Sequence, residues 1–420
     1  MKYCMRCGTQ LTDGTAFCMN CGTPVASNPY GNSQPYRQPQ YQHNAYRQPQ
    51  YNQVPPNRQQ PYGYRDPFQT APVDYAGPQY YQQPRQNVGL LDWLTGKVNQ
   101  FAGGQGAVRP PLHHLFSETF QKHTQEEAEE IFACGSPKTT PRLSAGDTLW
   151  PKPWLYARIL VALALAFFML YICCTSFNNV NALPGAIVLG SFMVPVSVMV
   201  FFFELNTPKN ISFYTLLKVF LVGGCASLLL TLVLFDILPS GETAYGHAIM
   251  VGIIEELGKL GIVVWFLSKE KNAKYHINGL LIGAAVGAGF AAFESAGYAF
   301  RFFAAQGYEG MMEVIFVRAV LAPGGHVVWA AMSGYAIMVV KKFTGPNPMG
   351  FLSQSRFWAI FWMPVAMHAV WDMPITIGAE IYLTQVLMVV MSWIVIFVLI
   401  ANSLSQLGRL LRNETHIHNA

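Results

Sequence analysis

The stretch GIIEELGKLGIVVWFL, residues 252–267, places Glu255, Glu256 and Lys259 in the middle of an apolar run. A charged side chain at the centre of a bilayer costs at least about 2.5 kcal/mol on insertion scales, so such groups persist where they line a polar cavity, pair, or do chemistry. On a helix Lys259 lies one turn from both carboxylates, at i+4 and i+3, and can neutralise one while the other is left to take a proton. Adjacent helical side chains point about 100° apart. One carboxylate is therefore expected to face a cavity and the other to anchor a neighbouring helix. The bland reading, a charged helix end, fails because the pair sits well inside the run that the basic loop at 269–274 closes.

The neighbouring apolar segments carry similar intruders. Phe290, Glu294 and Tyr298 follow at four-residue intervals, one stripe of a helix, among Gly283, Gly287, Gly289, Ala291 and Ala292, small residues that let helices approach closely. Glu294 has a structural alternative, an ion pair with Arg318 of the next segment. His326 stands beside a Pro-Gly-Gly break at 323–325, whose freed backbone groups are tolerated in a membrane only against a cavity or neighbouring protein. His368 and Asp372 stack at i and i+4, an arrangement that fixes an imidazole tautomer. Counted from one set of helix ends, these groups lie at roughly similar depth, about 18 to 26 Å in at the helical rise. The expectation is one shared polar site.

Around that core the chain reads as an all-α polytopic membrane protein, a bundle of about eight transmembrane helices preceded by a zinc ribbon and a disordered linker. Hydrophobic residues make up 52% of 420 and charged ones only 12%, even though the N-terminal third is very polar. Eight apolar spans are expected, at 154–174, 183–203, 211–235, 244–267, 277–303, 311–340, 357–377 and 382–404, each near or above the about 20 residues a crossing needs. Lys152, Arg158, Lys209, Lys269, Lys271, Lys274, Lys341, Lys342, Arg356, Arg409 and Arg412 fall on one side of them and Arg301 on the other. The positive-inside rule then puts both termini in the cytoplasm, in a multi-pass cell-membrane protein. The net charge of +5 is accounted for by these span ends, and no nucleic-acid partner is expected. No cleavable signal is read at the N-terminus, so the first span is expected to insert the chain.

Residues 1–26 offer Cys4-x2-Cys7 and Cys18-x2-Cys21, four thiolates at the spacing of a tetrahedral structural Zn²⁺ in a segment too short to fold without it. They resemble the minimal zinc ribbons of many membrane proteins; a disulfide-stapled module is the less favoured reading. Residues 27–87 are rich in Gln, Pro, Tyr, Asn and Arg and are expected to be a disordered tether. Residues 88–150 read as a juxtamembrane amphipathic collar. Leu112 to Phe120 forms one of its pieces, and a helix opened by a Thr124–Glu127 capping box and closed by Gly135 forms another. His113, His114 and His123 there are expected to be solvated. Cys134, Cys173, Cys174 and Cys225 show no ligand spacing and are expected to be small apolar fillers. Residues 151–405 make the membrane domain and 406–420 a cytoplasmic tail.

Taken in order, Glu-Glu-x-x-Lys at 255–259, Phe-x3-Glu-x3-Tyr at 290–298, the His326 helix and His-x3-Asp at 368–372 resemble the PrsW family of glutamic-type intramembrane proteases. That family stands in the wider group of type II CAAX prenyl endopeptidases. The resemblance covers about residues 150–405. It implies hydrolysis of a peptide bond in a membrane-anchored protein substrate, in the family's case site-1 cleavage of anti-sigma factors. It also implies roles: Glu255 as the water-activating base, helped by Glu294 or His326; Glu256 with Lys259 orienting it; His368, held by Asp372, stabilising the oxyanion or protonating the leaving amine. Phe290, Tyr298 and Arg318 support these groups. Glu294 departs from the CAAX-type pattern, where a His stands, so the division of work between Glu294 and His326 stays open. Two His and three carboxylates could hold a metal, but no His-Glu-x-x-His is present and a metal-free catalytic site is favoured. Two other classes fit intramembrane Glu, His and Asp: an ion- or proton-coupled transporter, against which the lack of internal repeats argues, and an inactive scaffold, against which the intact motifs argue. Oligomeric state is not legible.

Overall fold

The computed structural model describes residues 2–3, 10–11, 89–136, 138–239, 241–341, 349–375 and 382–418. The chain divides into two units, Met1–Ala71 and Pro72–Ala420. In the first, β1 (Lys2–Tyr3) and β2 (Gln10–Leu11) pair antiparallel, bracketing Cys4 and Cys7 in sequence. Cys4, Cys7, Cys18 and Cys21 themselves, the tether at 27–87 and the loop at 378–381 lie outside the described residues.

The described residues of the second unit are helical, beginning with three short helices, α1 (Leu90–Phe101), α2 (Leu112–Leu115) and α3 (Gln125–Ala133). The Thr124 capping box is formed: Glu127 N donates to Thr124 Oγ1 at 3.2 Å, and Thr124 N to Glu127 Oε2 at 3.0 Å. Gly135 adopts φ +100°, and a Cβ there would fall 2.5 Å from the Ile211 backbone, so only glycine lets α3 end against that loop. His123 departs from expectation. Its ring stacks on Trp154 at 3.9 Å and Nδ1 meets Glu127 at 3.0 Å, whereas His113 and His114 are exposed as expected.

The long helices follow: α4 (Leu155–Thr175), α5 (Leu183–Leu205), α6 (Phe213–Lys218) continuing through a π-helical turn at Val219–Gly223 into α7 (Gly224–Ile237), α8 (Ala244–Lys269), α9 (His276–Leu321), α10 (His326–Val340), α11 (Ser355–Asp372) and α12 (Leu383–His418). Among the described residues, five stretches are long and apolar enough to cross a membrane: Leu155–Thr175, Val180–Leu205, Phe213–Ile237, His276–Val340 and Leu383–Asn413. Two expected spans, α8 and α11, are not among the five. Glu255, Glu256 and Lys259 dilute the first, and Arg356, His368 and Asp372 interrupt the second, so the groups that point to a site also lower the apolarity of the helices carrying them.

The boundary expected between spans 277–303 and 311–340 is present: Gly307, at φ 71° and ψ −154°, joins two helical arms of α9 that fold back on each other, so that Arg318 reaches Ser295 and Tyr298. A second break follows at the Ala322–Gly324 3₁₀ turn, in the Pro-Gly-Gly sequence. At the other end α12 continues to His418, through most of the stretch expected as the tail.

α9 and α10 form the centre. Side chains at Gly283 and Gly287 would fall 2.1 and 2.2 Å from the carbonyl oxygens of Ala330 and His326, so the two helices touch backbone to backbone there. Gly252 does the same for α8 against α11, where a Cβ would meet Ala369 N at 2.8 Å. These approaches draw four helices close enough for short side chains to meet. Aromatic and aliphatic side chains, Phe202, Trp329, Tyr335, Phe357 and Phe361 among them, fill the surrounding core. Cys174 is buried as a filler should be, but Cys225 is exposed.

Candidate functional site

Four helices contribute to one cluster. α8 supplies Glu255, Glu256 and Lys259, α9 supplies Phe290, Glu294, Tyr298 and Arg318, the first residue of α10 is His326, and α11 ends in His368 and Asp372.

The two adjacent glutamates divide as their angular separation requires. Glu256 is fully buried, with Oε1 2.6 Å from Lys259 Nζ and 3.0 Å from His368 Nδ1, and so ties α8 to α11. Glu255 turns the other way. Its Oε2 lies 3.6 Å from His368 Nε2, 3.9 Å from His326 Nδ1 and 3.8 Å from Lys259 Nζ, and makes no hydrogen bond. A buried acceptor without a partner is costly, and in a native structure it calls for a ligand, a water or a reaction.

Donor and acceptor logic fixes both imidazoles. Lys259 Nζ, which can only donate, sits 2.9 Å from His326 Nδ1, so that nitrogen accepts and Nε2–H donates to Glu294 Oε2 at 3.0 Å. On His368 the assignment is reversed. Nδ1–H donates to Glu256 Oε1, and Nε2 faces Glu255 Oε2 at 3.6 Å and Asp372 Oδ2 at 3.4 Å. Each ring therefore has a carboxylate behind it and presents its other nitrogen toward Glu255. Asp372 is a looser partner of His368 than Glu256, because it comes from the half-exposed end of α11 and Glu256 from a closed helix contact.

The supporting residues find specific places. Phe290 lies under the Lys259 ammonium, 4.5 Å from ring centre to Nζ, and gives that buried cation a π face. Arg318 pairs with Glu294, donates from Nε to Ser295 Oγ at 2.7 Å and covers the Tyr298 ring at 4.6 Å. The structural alternative for Glu294 is thus realised, but alongside its bond to His326: one carboxylate oxygen serves both.

One contributor to the cluster, and one buried carboxylate outside it, escaped the sequence reading. Trp329 stacks on His368 at 4.6 Å, stands edge-on to His326 at 5.4 Å and donates from Nε1 to Ser392 of α12 at 3.0 Å. Its place one turn after His326 was the available signal. Glu204, at the end of α5, accepts from the backbone N–H groups of Trp154, Leu155 and Tyr156 and so caps α4; nothing local in the sequence pairs them.

Glu255, His326 and His368 each offer a ligand atom, all within 4.8 Å of one another. They fit a divalent cation in donor type, and Glu256 behind His368 and Glu294 behind His326 are the outer carboxylates that metal-bound imidazoles take. The fit requires Lys259 to withdraw from His326 Nδ1, whose lone pair it now occupies. The absence of His-Glu-x-x-His decides little here, because the three donors come from three helices.

Residues 212–400 match the model of the PrsW family, described as an intramembrane metalloprotease family, and residues 3–25 match that of a zinc-ribbon domain. Protease PrsW of Clostridioides difficile (strain 630) is 27% identical over 163 residues, which are 37% of this chain and 65% of the relative; the match thus spans a little under two thirds of that protein. No solved structure matches this chain.

Proposed function

We propose that the membrane domain is an intramembrane endopeptidase that hydrolyses a peptide bond of a membrane-anchored protein, as the PrsW match to residues 212–400 suggests. The observation that carries this reading is the orphaned Glu255 Oε2, buried and faced by two imidazoles whose orientations are independently fixed. A water placed there loses a proton to Glu255 as its oxygen bonds to the substrate carbonyl carbon. The carbonyl oxygen becomes an oxyanion, stabilised by the Lys259 ammonium or by a proton on His368. The C–N bond then breaks, and the leaving nitrogen takes the proton from Glu255 or His368. Glu256 and Glu294 hold the imidazoles, and Lys259 supplies the positive charge, which favours a metal-free cycle of glutamic type. A cation held by Glu255, His326 and His368 would instead supply a Lewis acid for the same carbonyl; three donors within 4.8 Å keep that second reading in play.

The domain assignments of the sequence reading carry over as part of this proposal, with 151–405 as the protease domain. Eight crossings are restored if α8 and α11 span despite their charges and the His276–Val340 stretch crosses twice about its kink and break. Both termini, with a structural zinc on Cys4, Cys7, Cys18 and Cys21, then lie in the cytoplasm, and the substrate class is a membrane-anchored regulator of the anti-sigma-factor kind.

The test compares membrane-protein N-termini in cells expressing the wild-type chain or Glu255→Gln. New termini within or beside a transmembrane segment, present only with wild type, are expected; identical sets would overturn the peptidase reading. Metal content of the purified chain lacking residues 1–26 separates the two mechanisms. Full activity without bound metal supports the glutamic one, and an equivalent of metal lost together with activity in His368→Ala supports the other.

A further inference from the structure

α1 is amphipathic, LLDWLTGKVNQF, but its most buried side chains are the polar Thr95 and Asn99, whereas several of its large apolar side chains are exposed and, among the described residues of the helix, Val98 alone packs against the core. Thr95 and Asn99 are buried. Thr95 Oγ1 accepts from Val108 N at 3.3 Å, and Asn99 donates to the carbonyls of Gln105 and Gly106 and accepts from Asn402 of α12 at 2.6 Å. Leu90, Leu91, Trp93 and Phe101 are 74%, 56%, 53% and 50% exposed. A soluble helix presents the opposite face to water, so this one has a neighbour that is apolar and is not this chain's core.

Its position says what that neighbour is. Asn402 lies about 20 residues from Leu383, the start of α12, which is the length a helix needs to cross the hydrocarbon core. Gly103, just past the end of α1, rests on the Arg356 guanidinium in the first turn of α11. Trp358 and Trp362 follow Arg356 with rings stacked at 6.0 Å, and Trp362 is exposed, the pairing of arginine and tryptophan that marks a membrane–water boundary. α1 is thus fixed to two helix ends that the multi-pass reading places at headgroup level.

We propose that α1 is an interfacial helix whose outward face, Leu90, Leu91, Trp93 and Phe101, docks into the headgroup–acyl boundary of the bilayer. Lys97, on the same face, extends its ammonium along that boundary to the phosphates, as long basic side chains do. The helix thereby fixes residue 89 at the membrane, and with it the point from which the preceding N-terminal region is tethered. The proposal rests on the multi-pass reading of the chain and is independent of the peptidase one.

The test uses the full chain in nanodiscs of phosphatidylethanolamine and phosphatidylglycerol, with the photoreactive p-benzoylphenylalanine placed at position 90, 101 or, as an exposed control on α3, 126. Lipid adducts identified by mass spectrometry are expected at 90 and 101 and at background level at 126, in wild type and in Glu255→Gln alike. Cross-links from 90 or 101 to residues 1–71, to a second copy or to another protein would overturn the proposal, as would no lipid adduct at either position. A second readout needs no photoreactive group: Trp93→Phe is expected to remove an emission component quenched by brominated lipids. Unchanged fractional quenching in that variant would place Trp93 outside the bilayer and refute the docking.

Discussion

Two buried polar clusters both draw on helix α9, and they are built on opposite principles. At the start of α9, Asn278 donates to the Oδ1 atoms of Asn206 and Asn210, each at 2.8 Å, while its own Oδ1 accepts from Asn210 and from the backbone N–H groups of Lys274 and Tyr275. None of these three asparagines leaves a buried side-chain atom without a partner. In the Glu255 cluster Lys259, His326 and Glu294 are equally well paired, yet Glu255 Oε2 and Glu256 Oε2 have no hydrogen bond. A closed network fixes geometry and has nothing left to offer a substrate. An open one keeps reactive capacity in reserve, and the unpaired atoms rather than the number of charges distinguish a site from a brace.

Replacing the open atom breaks that distinction most sharply. Glu255→Gln preserves shape and removes the proton acceptor, so a loss of about 10²- to 10⁴-fold in peptide cleavage is expected, without loss of folded protein. Cleavage rates of purified protein against an identified substrate check it; a wild-type rate would make Glu255 a brace. Glu256→Gln attacks the paired half of the same cluster. It leaves the Lys259 charge without its nearest counter-ion, and a stability loss of about 3 kcal/mol is expected in thermal unfolding in detergent, together with a fall in activity.

Asn278→Ala tests the closed network. It strands several buried partners and should cost about 2 kcal/mol of stability. The surviving folded fraction should keep the wild-type kcat, so a selective loss of kcat would show that the two clusters are coupled. The smallest effect is expected at Asp372→Asn. This carboxylate is half-exposed and 3.4 Å from His368, which Glu256 already holds, so activity should fall by about tenfold or less, near 1 kcal/mol. A drop as large as that of Glu255→Gln would instead give Asp372 a direct part in the reaction.

Much of this arrangement was legible in the chain. Isolated charges in apolar runs flagged α8, α9, α10 and α11 because the bilayer makes each charge expensive, and the spacing of Glu255, Glu256 and Lys259 forecast that one glutamate would anchor and the other stay free. The Thr124 capping box and the break before His326 are local signals and appear where the sequence puts them. Other features were illegible for reasons that are equally physical. His123 looked solvated because its stacking partner, Trp154, is distant in sequence. α1 had a readable amphipathic pattern, but the pattern does not say which face turns inward.

The sequence by itself determined the apolar helices, the placement of titratable groups within them and the pair of Cys-x2-Cys knuckles, because hydrophobic length, helical period and ligand spacing are properties of a segment. Only the tertiary structure decided who holds whom: Glu256 rather than Asp372 as the close partner of His368, Lys259 on His326, Glu294 shared between His326 and Arg318, and Glu204 on the end of α4. Those pairings depend on the approach of helices far apart in the chain, set by backbone contact at Gly252, Gly283 and Gly287, and no local pattern encodes which side chains such contact will bring within hydrogen-bonding reach.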